Sequence, residues 1–411
     1  MQEEIKNNKK YKVAIVAPTP VYYHAPLYRL LYISLQIDLM VYYCSNETLS
    51  GIEIKKMYGA DARFESQEEL LSGYQFKFLK NRSFDPSYMK WPLGLINIDI
   101  YKEIKDGRYD AVILQSWTNL TWWIAFFACL IHKVPVLFMT DENILSKKAK
   151  PTWKKALKRM VVGNFLFKFT AGFLTAGLAN EALYKHFGVP EKKLMRMYFS
   201  WGYERFLYRA QEIKSQREQI RRELGIEEHD FVMLFVGRLS HEKNPFMLLD
   251  ADNLVNHPHK KLFFAGDGPL KPMLKQYIKD LNIKCVYFAG FQNRTTLPNF
   301  YTMADVFILP SIYEPWGIVI NEAMCFSLPI VASDRVGAAV DLVHSGSNGY
   351  VFSAQDTKQL VVSIENLAAQ SPEERKAFGD ESFKIISEWI AKIKPAEQII
   401  KIIQKANNGY E

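Results

Sequence analysis

Two glutamates, Glu314 and Glu322, follow the apolar run 305–310 in a stretch that could bind a phosphorylated ligand. The run is typical of a buried strand, and the residues from Ile318 onward are typical of a helix. A strand that leads through a loop into a helix places backbone N–H groups and the positive end of the helix dipole at one point, where a phosphate can bind. Carboxylates beside that point could accept hydrogen bonds from sugar hydroxyls. Two solvated glutamates at an ordinary strand–helix joint explain the same residues, and the local sequence favours neither interpretation.

A second group of residues is cationic. Gly237 and Arg238 follow the apolar run 231–236, and Lys243 precedes Asn244, which can cap the next helix. A glycine at a strand end lets a ligand approach the backbone closely. An arginine fork and a lysine point charge beside a helix start suit a diphosphate, although two ordinary surface cations would give the same pattern.

Two further strand ends carry weaker signals. Gly266 and Asp267 begin a tight Gly-Asp-Gly-Pro turn, and Gly290 with Phe291 could lie against a nucleobase. The chain has no G-x-x-x-x-G-K-[ST] loop, no G-x-G-x-x-G turn after its first strand, no H-E-x-x-H and no G-x-S-x-G. These absences disfavour P-loop kinases, simple Rossmann dehydrogenases, zinc enzymes and serine hydrolases, and we expect no metal and no cofactor.

The elements that would position these residues alternate between strands and helices, which predicts an α/β protein with parallel sheets. In the first half, strands are predicted at 12–17, 37–43, 110–115 and 134–139, and helices at 26–35 and 120–131. In the second half, strands are predicted at 231–236, 262–265, 286–289, 306–309 and 329–332. The polar segment 201–222 predicts a boundary between domains of residues 1–203 and 204–387, and Pro395 should kink or divide the helical tail.

Composition sets the broad class. The 411 residues exceed what one hydrophobic core usually holds, so we expect two domains of about 200 residues. A hydrophobic fraction of 48% excludes a disordered chain, and the net charge of +8 indicates an anionic partner. The four cysteines are scattered, and the sequence has neither a signal peptide nor an apolar stretch of ~20 residues. We therefore expect a cytoplasmic protein that is soluble or lies on a membrane surface.

The segment 147–159 is strongly basic. It contains seven lysine or arginine residues interleaved with apolar residues at helical spacing from Pro151 onward. Such a helix fits the surface of a membrane rich in anionic lipid, and a solvated cationic face over a core stripe fits equally well. No recognisable nucleic-acid-binding module surrounds the segment, so we expect no nucleic-acid partner.

Taken together, these motifs resemble the retaining glycosyltransferases of family four, the glycosyl transferases group 1. The likeness is strong over residues 230–355, where order, spacing and strand-end placement agree and the family's Glu-x7-Glu pair is present as Glu314 and Glu322. It is looser in the first half, where it depends on the opening strand, the Pro26-Leu27-Tyr28-Arg29 helix and the strand 110–115. The resemblance implies the GT-B fold: two Rossmann-like domains that face a cleft, with a C-terminal helix (388–411) that crosses back to the first domain.

The resemblance also implies roles for the motif residues. Arg238 and Lys243 would hold the donor diphosphate, Glu322 the ribose hydroxyls, and Glu314 the transferred sugar. Arg238, Lys243, Glu314 and Asp141 would take part in catalysis. The complete expected donor site comprises Gly237, Arg238, Lys243, Gly266, Asp267, Gly290, Phe291, Glu314, Pro315, Trp316, Gly317, Ile318 and Glu322.

The first domain departs from the family pattern. Many members have a glycine pair in the loop after the first strand, where this chain has residues 19–24, including Tyr23 and His24. Many also have a histidine after a later strand, where this chain has Asp141 and Glu142. We expect the acceptor side to include these four residues and Trp117.

The expected reaction is the transfer of a sugar, with retention of configuration, from a UDP- or GDP-sugar to a glycan, a lipid-linked acceptor or another hydroxyl group. Synthesis of cell-surface polysaccharide or glycoconjugate is the process that the resemblance implies, in the cytoplasm or at the inner face of the cell membrane. Two alternatives remain open: a nucleotide-sugar epimerase or phosphorylase of the same fold, and an inactive scaffold that binds membranes.

Overall fold

A computed structural model describes residues 9–49, 70–145, 159–198 and 202–408 of the chain. Most of the basic segment 147–159 lies outside the described residues, and so does Trp201 at the start of the predicted boundary segment. Within the described ranges, every helix is too short or too polar to cross a lipid bilayer.

The described part of the first half forms a seven-stranded parallel sheet. The strand order is β3-β2-β1-β4-β5-β6-β7. The strands β1 to β7 span Tyr11–Ala17, Ile37–Tyr43, Phe76–Phe78, Ala111–Leu114, Val136–Met139, Gly172–Thr175 and Leu194–Arg196.

The described part of the second half forms a six-stranded parallel sheet. Its order, β10-β9-β8-β11-β12-β13, repeats the pattern of the first sheet. The strands β8 to β13 span Phe231–Val236, Lys260–Ala265, Val286–Gly290, Val306–Leu309, Ile330–Ser333 and Gly349–Phe352. In each sheet the strand order reverses beside the first strand, and this reversal is where open α/β sheets bind ligands.

Helices cover the faces of both sheets. The described α-helices α1 to α14 span Ala25–Tyr32, Ile100–Gly107, Leu120–Ile131, Leu178–His186, Tyr203–Ile213, Arg217–Glu223, Pro245–Leu254, Lys271–Asp280, Leu297–Met303, Ile318–Cys325, Gly337–Leu342, Thr357–Ala368, Pro372–Ala391 and Pro395–Asn408. Short 3-10 helices lie at Glu47–Leu49, Glu191–Lys193, Lys214–Gln216 and His241–Lys243, and a π-helix lies at Arg159–Leu166.

The apolar runs of the sequence become strands that are buried on both faces. All six residues of β8 are buried, as are all four of β11 and of β12, which is the pattern of a parallel sheet with helices on both sides. These predicted strands and the helix at 120–131 are confirmed. The strands β3, β6, β7 and β13, which have three or four residues each, were not predicted.

The end of the chain returns to the first sheet. Pro395 begins α14 after α13 has ended at Ala391, which confirms that the proline divides the helical tail. The side chains of Ile399 and Ile403 are fully buried in the same core as β1, and Gln404 Nε2 donates to Tyr11 Oη at 3.2 Å. This helix therefore connects the two halves of the molecule covalently and by packing.

A buried arginine network fixes α6 to the sheet of the second domain. The guanidinium of Arg221 donates to Met303 O, Asp230 O and Asp305 Oδ2 at 2.9, 2.7 and 3.1 Å. Arg217 donates to the second oxygen of Asp305 at 2.7 Å. Asp305 in turn accepts from Val232 N at 2.8 Å, so the network joins α6 to the amino ends of the central strands β8 and β11.

Replacing Arg221 by methionine should lower the free energy of unfolding of the second domain by about 3 kcal/mol, because removal of one partner leaves Asp305 buried without its full set of donors. Chemical denaturation would measure the change. The exposed neighbour Arg222→Met is the matched control, and we expect less than about 0.5 kcal/mol from it. Equal effects of the two substitutions would contradict the role assigned to the network.

Candidate active site

The carboxyl ends of the two sheets face a cleft that residues of both domains line. Its empty space is about 1070 Å³, part of it open to solvent. The first domain contributes Tyr22 and Arg29 to the lining, and the second contributes Arg238, Arg294 and Glu322. Among all residues that line the cleft, three arginines outnumber the two carboxylates, Asp267 and Glu322, and this excess of positive charge indicates an anionic ligand.

The two charged motifs of the sequence meet at the strand-order reversal of the second sheet. Lys243 Nζ forms an ion pair with Glu314 Oε2, and both side chains are mostly buried. The loops that carry them are also joined through the backbone, since Ile312 N donates to Glu242 O at 2.9 Å. The loops after β8 and β11 thus form one rigid unit that holds a cation beside a carboxylate.

Glu322 lies in α10, where it is buried and lines the cleft. Tyr301 Oη donates to Glu322 Oε2 at 2.8 Å. Burial raises the pKa of Glu322 above the ordinary value, and the hydrogen bond from Tyr301 and the charge of Arg294 oppose that rise. The carboxylate is therefore held by one donor and retains a second oxygen for other donors.

Two arginine side chains of the cleft have nitrogen atoms without partners. Arg238 Nε and Arg294 Nη2 are buried, and neither has a hydrogen-bond partner among the described residues. The guanidinium of Arg294 also lies over the ring of Tyr22 from the first domain, with Cζ 4.8 Å from the ring centroid. Buried donors in native proteins are almost always paired, so these atoms point to an anionic ligand that accepts from them.

Close-packed glycines form the wall of the cleft behind these cations. Gly237 and Gly266 have φ angles of 152° and 155°, and a Cβ on Gly266 would lie 1.9 Å from Gly237 O. Gly290 has a φ of 73°, and Phe291, which follows it, lines the cleft. The carboxylate of Asp267 also lies at the cleft, where it accepts from Lys271 Nζ at 2.6 Å and from Gly268 N at 2.7 Å.

The start of α10 is shaped by Gly317, whose φ is 95°. The side chain of Trp316 turns away from the cleft: its Nε1 donates to Asn321 Oδ1 at 2.9 Å, and its ring packs on Trp389 at 5.4 Å between centroids. The backbone around Pro315 and Ile318 lies at the start of α10. It is the part of this predicted stretch that could bind a ligand at the positive end of the helix dipole.

The expected acceptor residues separate into two groups. His24 and Asp141 approach each other, with Nε2 to Oδ1 at 3.8 Å, and both line a smaller cavity of about 390 Å³. The ring of Tyr23 packs on His24 at 4.6 Å. Trp117 is placed in the core of the first domain, where its ring packs on Phe138 and Phe167.

Glu142 follows Asp141 at the end of β5, and its backbone is held by hydrogen bonds. Its N–H donates to Thr140 Oγ1 at 3.2 Å, and its carbonyl accepts from Asn180 Nδ2. The loop that carries both acidic residues is therefore fixed to α4.

Sequence reasoning missed a contact between the domains. Asn143 Nδ2 donates to Glu314 O at 3.1 Å and to Pro315 O at 2.7 Å, and Asn143 is almost fully buried. Its position two residues after Asp141, at a predicted strand end, was the available signal. Arg294 and Tyr301 were also missed, because no motif marks the loop and helix that follow Phe291.

Residues 216–384 match the model of the family described as glycosyl transferases group 1. An uncharacterized glycosyltransferase of Methanocaldococcus jannaschii is 33% identical over 168 residues, which are 40% of this chain and 42% of that protein. The chain thus spans less than half the length of this curated relative.

A second relative is similar over more of its length. The UDP-Gal:alpha-D-GlcNAc-diphosphoundecaprenol alpha-1,3-galactosyltransferase of Escherichia coli is 27% identical over 280 residues, 65% of this chain and 68% of that protein. Among solved structures, Anabaena HepE in complex with UDP superposes with a TM-score of 0.71 at 18% identity, covering 96% of this chain and 100% of that chain. At that identity the likeness shows the fold alone, and the predicted GT-B fold is confirmed.

Alanine at Gly266 should disrupt the wall of the cleft. Its Cβ would overlap Gly237 O, so one of two close backbone segments must shift. We expect Gly266→Ala to lower the free energy of unfolding by about 2 kcal/mol more than Gly346→Ala, which also has a positive φ of 81° but open space around the added Cβ. Denaturant titration would compare the two, and equal losses would mean that the close approach is unimportant.

Proposed function

We propose that this chain transfers a sugar from a nucleotide-diphosphate sugar to a hydroxyl acceptor with retention of configuration at the anomeric carbon. The observation that carries the proposal is a pair of partly buried arginines, Arg238 and Arg294, each of which has one buried nitrogen without a partner in the cleft that Glu322 also lines. A diphosphate supplies the acceptors that these donors lack, and ribose hydroxyls supply donors for the carboxylate.

The donor would lie along the carboxyl edge of the second sheet. Glu322 would bind the ribose, and Gly290 with Phe291 would border the base. Arg238 and Lys243 would hold the diphosphate together with the amides at the start of α10, near Ile318. Lys243 is a point charge on a flexible stem, so it can contact a phosphate oxygen while it remains beside Glu314.

The chemical task is to stabilise a departing diphosphate while positive charge develops at the anomeric carbon. The bond from that carbon to the phosphate oxygen breaks, and a bond to the acceptor oxygen forms on the same face. The proton of the acceptor hydroxyl passes to the leaving phosphate. Fixed cations at Arg238 and Lys243 stabilise the charge on the leaving group, and Glu314 stabilises the cationic sugar.

The acceptor would enter from the first domain. Asp141 and His24, which line the smaller cavity, are the candidates to orient its hydroxyl group. The name of the Escherichia coli relative specifies a lipid-linked diphosphate acceptor and a UDP-sugar donor, which supports the same classes of substrate here. The cationic segment 147–159 would then hold the enzyme at the inner face of an anionic membrane.

No divalent cation is part of the proposed site. Among the described residues, His229, Asp230 and His259 could hold a metal ion, but they precede β8 and β9, at the amino ends of the strands. A six-residue strand spans about 20 Å, so an ion there would not reach a diphosphate at the carboxyl ends.

A panel of UDP- and GDP-sugars, assayed with hydroxyl acceptors and for slow hydrolysis alone, tests the proposal. We expect Arg238→Ala and Lys243→Ala to lower kcat/KM by about 100-fold or more, because each removes a fixed charge from the leaving group. Lys376→Ala, which breaks an exposed ion pair on α13, is the control and should leave turnover unchanged.

Three results would overturn the proposal. Turnover that survives Lys243→Ala and Glu322→Ala would mean that the site is elsewhere. Conversion of a sugar nucleotide to its epimer without any acceptor would indicate an epimerase. Calorimetry that detects binding of neither UDP nor GDP would indicate an inactive scaffold.

Nucleotide binding should depend on the ionisation of Glu322. A carboxylate accepts from ribose hydroxyls at both oxygens, so affinity should fall as pH drops through the raised pKa of Glu322. Tyr301→Phe removes a donor that stabilises the charged form, which raises the pKa of Glu322 further and moves this fall to higher pH. Calorimetric titration of UDP and GDP across pH would measure it, and an unshifted profile would exclude Glu322 as the titrating group.

A further inference from the structure

The helix α3 has no charged residue, and yet one of its stripes faces outward. Leu120, Phe127 and Ile131 are exposed, and their spacing of seven and four residues places them on one face of the helix. Between them, Trp123 and Ile124 are half-buried. A surface helix ordinarily carries polar residues on its outer face. An outward-facing stripe of apolar residues is therefore unusual for a helix in this position.

Neighbouring segments extend the stripe on both sides. At its start, Leu120 N donates to Pro92 O at 3.0 Å, which brings in Trp91 and Leu93, 70% and 59% exposed. Further along, the ring of Phe127 packs on Phe165 of the π-helix at 6.1 Å between centroids.

The ring of Phe165 packs in turn on Phe169 at 5.5 Å, and Phe169 is half exposed. The resulting surface consists of Trp91, Leu93, Leu120, Phe127, Phe165 and Phe169, and we call it the aromatic face. Contiguous exposed apolar surfaces of this kind mark sites that bind proteins or membranes.

The charges in the sequence next to the π-helix favour a membrane as the partner of the aromatic face. Between Glu142 and Glu181 the chain contains eight lysine or arginine residues and no acidic residue, and the π-helix that carries Phe165 directly continues this segment. In the loop before Trp91, the acidic Asp85 is paired with Lys90. Exposed aromatic residues next to a block of cations in the sequence are a combination that binds the interface of an anionic bilayer.

We propose that the aromatic face inserts into the interfacial region of a membrane rich in anionic lipid. The cations attract the protein at long range, and the apolar side chains provide a component of binding that salt does not screen. The further idea that this brings a lipid-linked acceptor to the cleft depends on the proposed function, whereas membrane binding itself does not.

The position of α3 links the membrane to the acceptor side. It follows β4, whose carboxyl end lies at the cleft, and Asp141 follows the neighbouring β5. The twelve residues of α3 span about 18 Å, so the aromatic face runs from the cleft edge along one side of the first domain. A membrane bound there lies beside the cavity that contains Asp141 and His24.

Sedimentation with vesicles of equimolar phosphatidylcholine and phosphatidylglycerol tests the proposal, at about 0.1 M and about 1 M salt, where the Debye length is about 10 Å and about 3 Å. We expect wild-type binding to keep a salt-resistant component. Phe127→Glu and Trp91→Ala should each weaken binding by about tenfold or more at both salt concentrations. Reversing the lysines of 147–158 should remove only the component seen at low salt.

Leu35→Glu is the matched control, because Leu35 is an exposed apolar residue of the same domain outside the aromatic face. It should leave vesicle binding unchanged. Thermal unfolding of each variant shows whether it folds, and Trp91→Ala keeps the test decisive if Phe127→Glu does not fold, because Trp91 lies in a loop.

Unchanged vesicle binding in both variants would overturn the proposal. So would a wild-type dimer that Phe127→Glu dissociates in analytical ultracentrifugation, since the aromatic face would then join two copies of the chain. Turnover of sugar nucleotides is measured separately on the same proteins. Vesicle binding without turnover would overturn the proposed function alone, and turnover without vesicle binding would overturn the membrane surface alone.

Discussion

The loop that carries Glu314 is fixed from both domains, and the geometry of the cleft depends on it. The side chain of Glu314 is paired with Lys243. Its backbone carbonyl accepts from Gly337 N at 3.1 Å and from Asn143 Nδ2 at 3.1 Å. Asn143 comes from the first domain, so a movement of one domain against the other would break this contact. The two domains therefore share control over the position of a single carboxylate.

Two arginines of the cleft are partly buried, and the protein does not supply a hydrogen-bond acceptor to every one of their nitrogens. Arg238 and Arg294 have buried nitrogens without acceptors among the described residues, and such groups cost free energy unless a ligand pairs with them. The close approach of Gly237 and Gly266 lies directly before Arg238 in the chain and restricts the loop that carries it. The unpaired donors destabilise the free protein, and an anion that pairs with them gains the corresponding free energy on binding.

Much of the fold follows from local pattern. The buried runs at 231–236 and 306–309 were recognisable because parallel strands covered on both faces are continuously apolar. Short strands such as β3 and β7 carry no usable period and were missed. In the candidate site, some of the predicted residues, such as Arg238 and Glu322, line the cleft. The rings of Trp117 and Trp316 pack in the core instead, because an aromatic residue near a ligand loop is equally suited to packing.

The sequence by itself determined the alternation of strands and helices and the chemical groups at the strand ends, because both depend on local spacing and residue type. Only the tertiary structure decided which of these groups meet. The strand order places β11 beside β8, which brings Glu314 to Lys243 across 71 positions of sequence. It also brings Asn143 to the carbonyls of 314 and 315, and Arg294 to the ring of Tyr22. Such contacts depend on the packing of whole sheets, which local sequence does not specify.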